Sequence, residues 1–204
     1  MQDRQLTDFV LVGGTALALQ IGHRDSIDLD MFTKNPFEAN ELDTYLKDNY
    51  GFNQDYLRNN TLKGDIEGVK VDLMTHGYPN VQKDLLVEGV RMASLPDIAA
   101  MKLNAIVGNG TRIKDFIDVA YLSSTLSLND MQKAYSTKYP ASNPVMASKA
   151  LNFHEDINLK EPIKMIEGSL KWVLVEKRLK NMIASPVKVF SPLTMLDEKK
   201  SNDQ

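Results

Sequence analysis

The stretch that most restricts the fold is FVLVGGTALALQIGHRDSIDLDMFT, residues 9–33. It opens on an apolar run, Phe9 to Val12, ended by Gly13 and Gly14, and continues as TALALQI, of helical composition with Gly22 placed to stop it. The period then changes. In SIDLDMF, Ile27, Leu29 and Met31 alternate with Asp28, Asp30 and Phe32, which predicts a strand. Strand, glycine turn, short helix and returning strand form one compact unit, and the last strand carries two carboxylates among apolar residues. Asp is depleted in strands, so the pair demands a reason.

Residues i and i+2 of a strand share a face, with Cα atoms about 7 Å apart, so Asp28 and Asp30 converge. Like charges held together and partly desolvated repel unless a cation or hydrogen-bond donors compensate them. A divalent metal is the simplest compensation: Mg²⁺ takes one or two carboxylates and completes its shell with water and phosphate oxygens. Asp72, on the polar face of VKVDLM, brings a third carboxylate to the same metal if that strand pairs beside the first. The alternative, a solvated sheet face, is the ordinary reading of an isolated strand Asp. The Gly pair supplies the complement. A strand that ends in glycines and opens a helix presents backbone N–H groups to phosphate, so Gly13, Gly14 and Thr15 could hold a triphosphate. Taken alone, the glycines are explained equally well by a tight packing turn.

Further along, EANELDTYLKDNYG predicts a helix closed by Gly51, and TLKGDIEGVKVDLMTH a hairpin with Gly64 and Gly68 near its turn. SLPDIAAMKLNAIVGNG reads as a helix capped by Ser94 with Pro96 in its first turn. TRIKDFIDVAYLSS follows as a helix with Ile113, Phe116, Ile117, Ala120 and Tyr121 on one stripe. Three more helices are expected around LNDMQKAYSTKY, PVMASKALNF and GSLKWVLVEKRLKNMI, then a frayed polar tail. The expected division is an α/β lobe over 1–93, a helical lobe over 94–190 and a tail over 191–204.

At 204 residues the chain can bury a sizeable core, and its net charge of −3 leaves no broad basic field for nucleic acid, so any such contact is local. The absence of Cys removes disulfides, thiolate metal sites and Cys nucleophiles. His23, His76 and His154 have no metal-ligand spacing and are read as structural, and Trp172 as core or lobe interface. No window approaches the roughly 20 apolar residues of a membrane span. The expected location is the cytoplasm.

The motif LVGGTALAL followed by HRDSIDLDMF resembles the first block of the polymerase-β-like nucleotidyltransferases, in particular the AbiEii/AbiGii toxin family with its R-x-S-x-D-L-D strand. MKLNAI followed by GTRIKDFIDVAYL resembles that family's second block, and the likeness covers residues 9–122. It implies an α+β fold, a mixed sheet with flanking helices followed by a helical C-terminal lobe, and Mg²⁺-dependent transfer of a nucleotide from an NTP to a hydroxyl acceptor. Asp28 and Asp30 become the metal ligands, with Asp72 as the third carboxylate of the wider superfamily, a position that varies in toxin-type members. Ser26 becomes a phosphate-side contact, Lys102 the basic residue near the triphosphate and Asp115 the acidic residue of the last motif. By composition alone Lys102 reads as a solvated helix residue, and Arg112 with Asp115, or Lys114 with Asp118, as surface ion pairs. The resemblance also suggests the toxin half of a bacterial toxin–antitoxin or phage-defence pair acting on tRNA or other RNA, with a cognate antitoxin as partner. A small-molecule nucleotidyltransferase of the antibiotic-modifying kind and a non-catalytic nucleotide-binding module stand as alternatives.

Overall fold

The computed structural model describes residues 3–195. After a 3-10 turn at Arg4–Leu6, the elements run β1 (Val10–Leu11), α1 (Gly13–Ile21), β2 (Leu29–Thr33), α2 (Ala39–Tyr50), β3 (Asn53–Arg58), β4 (Thr61–Ile66) and β5 (Val69–Thr75). Then come β6 (Leu85–Val87), β7 (Val90–Met92), α3 (Leu95–Gly108), α4 (Ile113–Leu122), α5 (Leu128–Lys138), α6 (Pro144–Leu151) and α7 (Trp172–Ala184). The strands form one mixed sheet in the order β3-β4-β5-β2-β1-β7-β6. Parallel pairing joins β2 to β5 and β1 to β7, and every other neighbour is antiparallel.

Local chemistry accounts for most of these elements. Ser94 caps α3 by accepting from the Asp97 amide at 3.2 Å, with Pro96 in the first turn. Ser127 does the same for α5 through the Asp130 amide at 3.1 Å. The two faces of the sheet differ in what they meet. Leu29, Met31, Val71 and Leu73 face a groove shared with Leu46 and Tyr50 of α2, whereas Asp30, Phe32 and Met74 face Met101 and Lys102 of α3. Contiguous buried apolar contacts run from Leu11, Met31 and Leu73 in the sheet to Phe116, Tyr135 and Leu179 in the helices.

Several expectations need adjusting. The strand expected from Ser26 begins at Leu29, because the preceding residues pair elsewhere: the Asp25 amide donates to the Lys164 carbonyl at 2.8 Å, and Arg24 forms an isolated bridge with Met165. Asp28 therefore sits just ahead of β2. Gly64 lies inside β4, opposite Val71 and Gln54, while the turn is made by Glu67 and Gly68. The strand β3 and the hairpin β6–β7 are additional. Residues 191–195 form no regular element, yet Met195 is 1% exposed, and the rest of the expected tail, 196–204, lies outside the described residues.

Gly64 is fixed by close approach, since a Cβ there would run into the Asn53 carbonyl and the Phe52 ring. Backbone cannot yield as a flexible side chain can. Gly64→Ala is expected to destabilise the protein by about 1–3 kcal/mol, read as a lower denaturant midpoint with unchanged slope.

Candidate active site

The short helix α1 starts where the chain leaves β1 beside β2. The Val12 amide donates to the Asp30 carbonyl at 2.8 Å, and the chain then turns through Gly13 at φ 69°. A side chain at Gly13 would strike the Asp30 carboxylate, and one at Gly14 the Arg24 guanidinium and the Ser26 hydroxyl. Close approach to the Asp30, Arg24 and Ser26 side chains therefore accounts for the Gly pair. Within α1 the Ala16 amide donates to the Val12 carbonyl, so the amides of Gly13, Gly14 and Thr15 precede the helix's own ladder. Gly13, Gly14, Ser26, Asp28 and Asp30 all line one cleft of about 340 Å³.

The acidic edge of this cleft is organised by strand register. Asp30 pairs directly with Asp72 across the parallel β2–β5 ladder. Burial, with Asp72 and Asp28 adding to it, raises the Asp30 pKa above the ordinary carboxylate value, against the opposing pull of Lys102 and Arg112. Asp72 does not line the cleft itself, and its Oδ2 is ion-paired with Lys63. Thr15 is also turned aside. Its hydroxyl lies 2.5 Å from the Asp28 carbonyl and 3.0 Å from Ser26 Oγ, so it ties α1 to the segment carrying Asp28 rather than facing the cleft.

The opposite edge is basic and comes from the helices. Lys102, Arg112 and Lys114 line it with Asp115, while Arg24 enters from the segment between α1 and β2, its guanidinium against Gly14. Lys102 is not a solvated helix residue: its side chain is 8% exposed, and its ammonium lies 2.7 Å from both Asp115 Oδ1 and Asp118 Oδ2. Burial would lower its pKa, but Asp118 and Asp115 together raise it. Asp118, with no exposed side-chain surface, also takes Arg24 through Nε at 2.7 Å and Nη2 at 2.9 Å, and His23 Nε2 at 2.8 Å. The bond to a carboxylate requires His23 to carry its proton on Nε2, which leaves Nδ1 buried without a partner. Asp115 Oδ2 is likewise buried without a hydrogen bond, 3.8 Å from Arg112 Nε.

The fold thus brings Gly13, Gly14, Ser26, Asp28, Asp30, Lys102 and Asp115 to one cleft, and leaves the side chains of Thr15 and Asp72 beside it. The surface pair expected between Lys114 and Asp118 does not form. Lys114 bonds Glu161 at 2.8 Å, and Asp118 faces inward. Sequence reasoning missed Arg24 and Asp118 as site residues, although both stand inside the quoted motifs, because their partnership spans a chain separation of 94. His154 packs on Phe116 and Trp172, and His76 lines the cleft.

Among the described residues no three His, Cys, Asp or Glu side chains converge as a metal-holding group. The donor set fits a hard cation that needs few protein ligands: Asp28 and Asp30 are hard oxygen donors lining the same cleft.

The family model for the nucleotidyl transferase AbiEii toxin, of type IV toxin–antitoxin systems, matches residues 2–82 and 61–185. The chain belongs to this family. As an AbiEii-type nucleotidyltransferase it is 32% identical to an uncharacterized protein of Aquifex aeolicus over 156 residues, 73% of this chain and 75% of that protein. Its fold resembles that of a candidate nucleotidyltransferase from Helicobacter pylori, with a TM-score of 0.53 and 20% identity over 87% of this chain and 85% of that one. It also resembles MenT4, a nucleotidyltransferase toxin of Mycobacterium tuberculosis, with a TM-score of 0.60 and 15% identity over 86% of this chain and 74% of that one. At these identities the likeness carries the architecture, a polymerase-β-like nucleotidyltransferase fold.

Burial would raise the Asp118 pKa, but Lys102, His23 and Arg24 hold it far below the ordinary 3.8 in this AbiEii-type protein. A depressed carboxylate pKa contributes stability that is present above the unfolded value and lost as pH falls through the folded one. Asp118→Asn leaves Arg24 and Lys102 under-compensated and is expected to cost about 3–5 kcal/mol near neutral pH. The gap from wild type should narrow below about pH 4, as denaturant titrations across pH would show. Lys102→Ala strands Asp115 while Asp118 keeps Arg24 and His23, and should destabilise by less than Asp118→Asn.

Proposed function

We propose that this nucleotidyltransferase transfers a nucleotide from an NTP to a hydroxyl of RNA, with tRNA as the leading acceptor class, in a Mg²⁺-dependent reaction. It would act in the cytoplasm as the toxin of a toxin–antitoxin or phage-defence pair, held in check by a cognate antitoxin. No helix among the described residues is long and apolar enough to cross a membrane. The observation that carries the reading is the facing of two edges across one cleft: Asp28 and Asp30 with the glycine start of α1 on one side, Lys102 and Arg112 on the other.

In this scheme the amides of Gly13 and Gly14 and the Ser26 hydroxyl receive the phosphates, and Lys102 and Arg112 offset their charge. Asp28 and Asp30 would hold Mg²⁺. Bound there, the ion would supply charge neutralisation on the triphosphate. The acceptor oxygen bonds to the α-phosphorus as the bond to pyrophosphate breaks, and the hydroxyl proton passes to a carboxylate of the acidic edge. Asp72, held beside Asp30 by Lys63, is our candidate for that proton or for a third metal ligand. Asp115 orients Lys102 and, through its free oxygen, Arg112.

Arg24 and Lys102 on the cleft wall are buried and held by Asp118 and Asp115, and Lys114 by Glu161, so the preference for a polyanionic acceptor over a cationic small molecule rests on Arg112. Arg112 reaches outward with a side chain 61% exposed. The alternative of a non-catalytic module is disfavoured by carboxylates and cations that all converge on one space.

Incubation of the protein with each α-labelled NTP, Mg²⁺ and total cellular RNA should label RNA, and Asp30→Asn should abolish the label. Transfer to no RNA at all, with an active protein preparation, would return the small-molecule alternative. The raised Asp30 pKa means that ionisation at Asp30 costs stability, which is present below the unfolded value and lost as pH rises through the folded one. In chelator at neutral pH, Asp30→Asn should therefore melt above wild type. A lower melting temperature would show that the carboxylate is structurally bonded.

A further inference from the structure

Beyond the carboxylates the cleft adjoins a second cavity of about 220 Å³, and the two share Val12, Phe32, His76 and Met101 as walls. Strand register sets the order along this floor. Phe32 and Met74, themselves paired, stand two residues beyond Asp30 and Asp72, about 7 Å further along the same face. His76 follows directly after β5, where its amide donates to the Thr33 carbonyl at 2.7 Å. Its ring centroid lies 5.2 Å from Phe32 and 4.7 Å from Tyr78, and its Nε2 lies 3.2 Å from the Tyr139 hydroxyl.

A ring cluster that served packing alone would be closed off. Here Tyr78 is 45% exposed, and Phe32 and His76 border both cavities. The wall is also held firmly. The segment after Tyr78 is fastened to Asp97, which accepts from the amides of Val81 at 2.9 Å and Gln82 at 3.0 Å. Lys138 bonds Asp97 at 2.8 Å and the Pro79 carbonyl at 3.2 Å. Stiff, half-open aromatic surface is what a planar ligand needs.

We propose that this second cavity holds a nucleobase, seated against the rings of Phe32, His76 and Tyr78 with its ribose over Phe32 and Met74. The inference rests on the nucleotidyl-transfer reading above: a nucleotide with phosphates at Gly13 and the two aspartates has its base further along this floor. Every base has a face that aromatic rings stack on, so such a wall accepts nucleotides with little regard to sequence. Burial, reinforced by Lys138, lowers the His76 pKa to about 4, so the imidazole stacks as an uncharged ring at neutral pH. Lys34, Asn35 and Asp84 offer polar groups at the rim of the cavity.

The base belongs either to the NTP or to the terminal nucleotide of the acceptor, and calorimetry with three probes separates the two. With Mg²⁺ present, each of the four NTPs, inorganic tripolyphosphate, and a mixed-sequence RNA trinucleotide added to NTP-loaded protein are titrated into wild type, Tyr78→Ala and Tyr78→Phe. Tyr78→Ala is expected to weaken NTP binding by roughly five-fold or more, with tripolyphosphate unchanged and the loss restored in Tyr78→Phe. A loss confined to the trinucleotide assigns the cavity to the acceptor's base. Unchanged affinity for both NTP and trinucleotide overturns the proposal while tripolyphosphate binding leaves the phosphate site standing. Binding of neither NTP nor tripolyphosphate to wild type overturns the nucleotidyl-transfer reading and this inference with it. His76→Ala, titrated in the same way, serves as the second variant should Tyr78→Ala fail to melt cooperatively.

Discussion

Asp118 has no contact with solvent, and its two oxygens gather cations from two segments far apart in the chain. His23 and Arg24 come from the segment that links α1 to β2, and Lys102 from α3. A buried carboxylate without partners would shed its charge, and buried Arg and Lys without a carboxylate would be costly, so each group fixes the others. Once Arg24 is clamped through two nitrogens, the chain from Ser26 to Asp30 has one route past the start of α1, and the glycine end of the cleft takes shape. Once Lys102 is shared between Asp118 and Asp115, its ammonium has a defined position facing that route. A single salt-linked node therefore sets the spacing between the acidic and basic edges of the site.

Legibility in the sequence followed the range of the interaction that decides each element. Helices α3 and α5 announce themselves by Ser caps whose partners lie three residues on, and α1 and α2 end at Gly22 and Gly51. The acidic pair and the glycines were readable because strand period and helix-start chemistry are local rules. Strand β3, NQDYLR, was invisible because both its faces are largely exposed, so no alternation marks it. The β6–β7 hairpin is built of strands of three residues, too short to show a period.

Composition misjudged the second block because burial is not a local property. Lys102, Asp115 and Asp118 are residue types that usually meet water, and only the packing of α3 against α4 beneath α1 removes it. Likewise, nothing near Thr15 says that its hydroxyl will be spent on the Asp28 carbonyl, or near Asp72 that Lys63 will hold it. The family likeness singled out Lys102 and Asp115, which line the cleft, without revealing the second carboxylate, Asp118, that holds the lysine.

The strap formed by residues 164–166 bears on the order in which the molecule can be made. Lys164 and Met165 pair with Asp25 and Arg24, and the Ile166 amide donates to the His23 carbonyl at 3.2 Å. During synthesis the motif with Asp28 and Asp30 leaves the ribosome early, while Asp118 and then the strap follow much later. Until they arrive, Arg24 lacks its counter-charge and the motif its lateral support, and joining segments so distant along the chain is intrinsically slow. The cleft beside Gly13 and Asp30 therefore cannot take its final shape until residues 164–166 have been made, so most of the chain must be synthesised before its earliest motif is ordered.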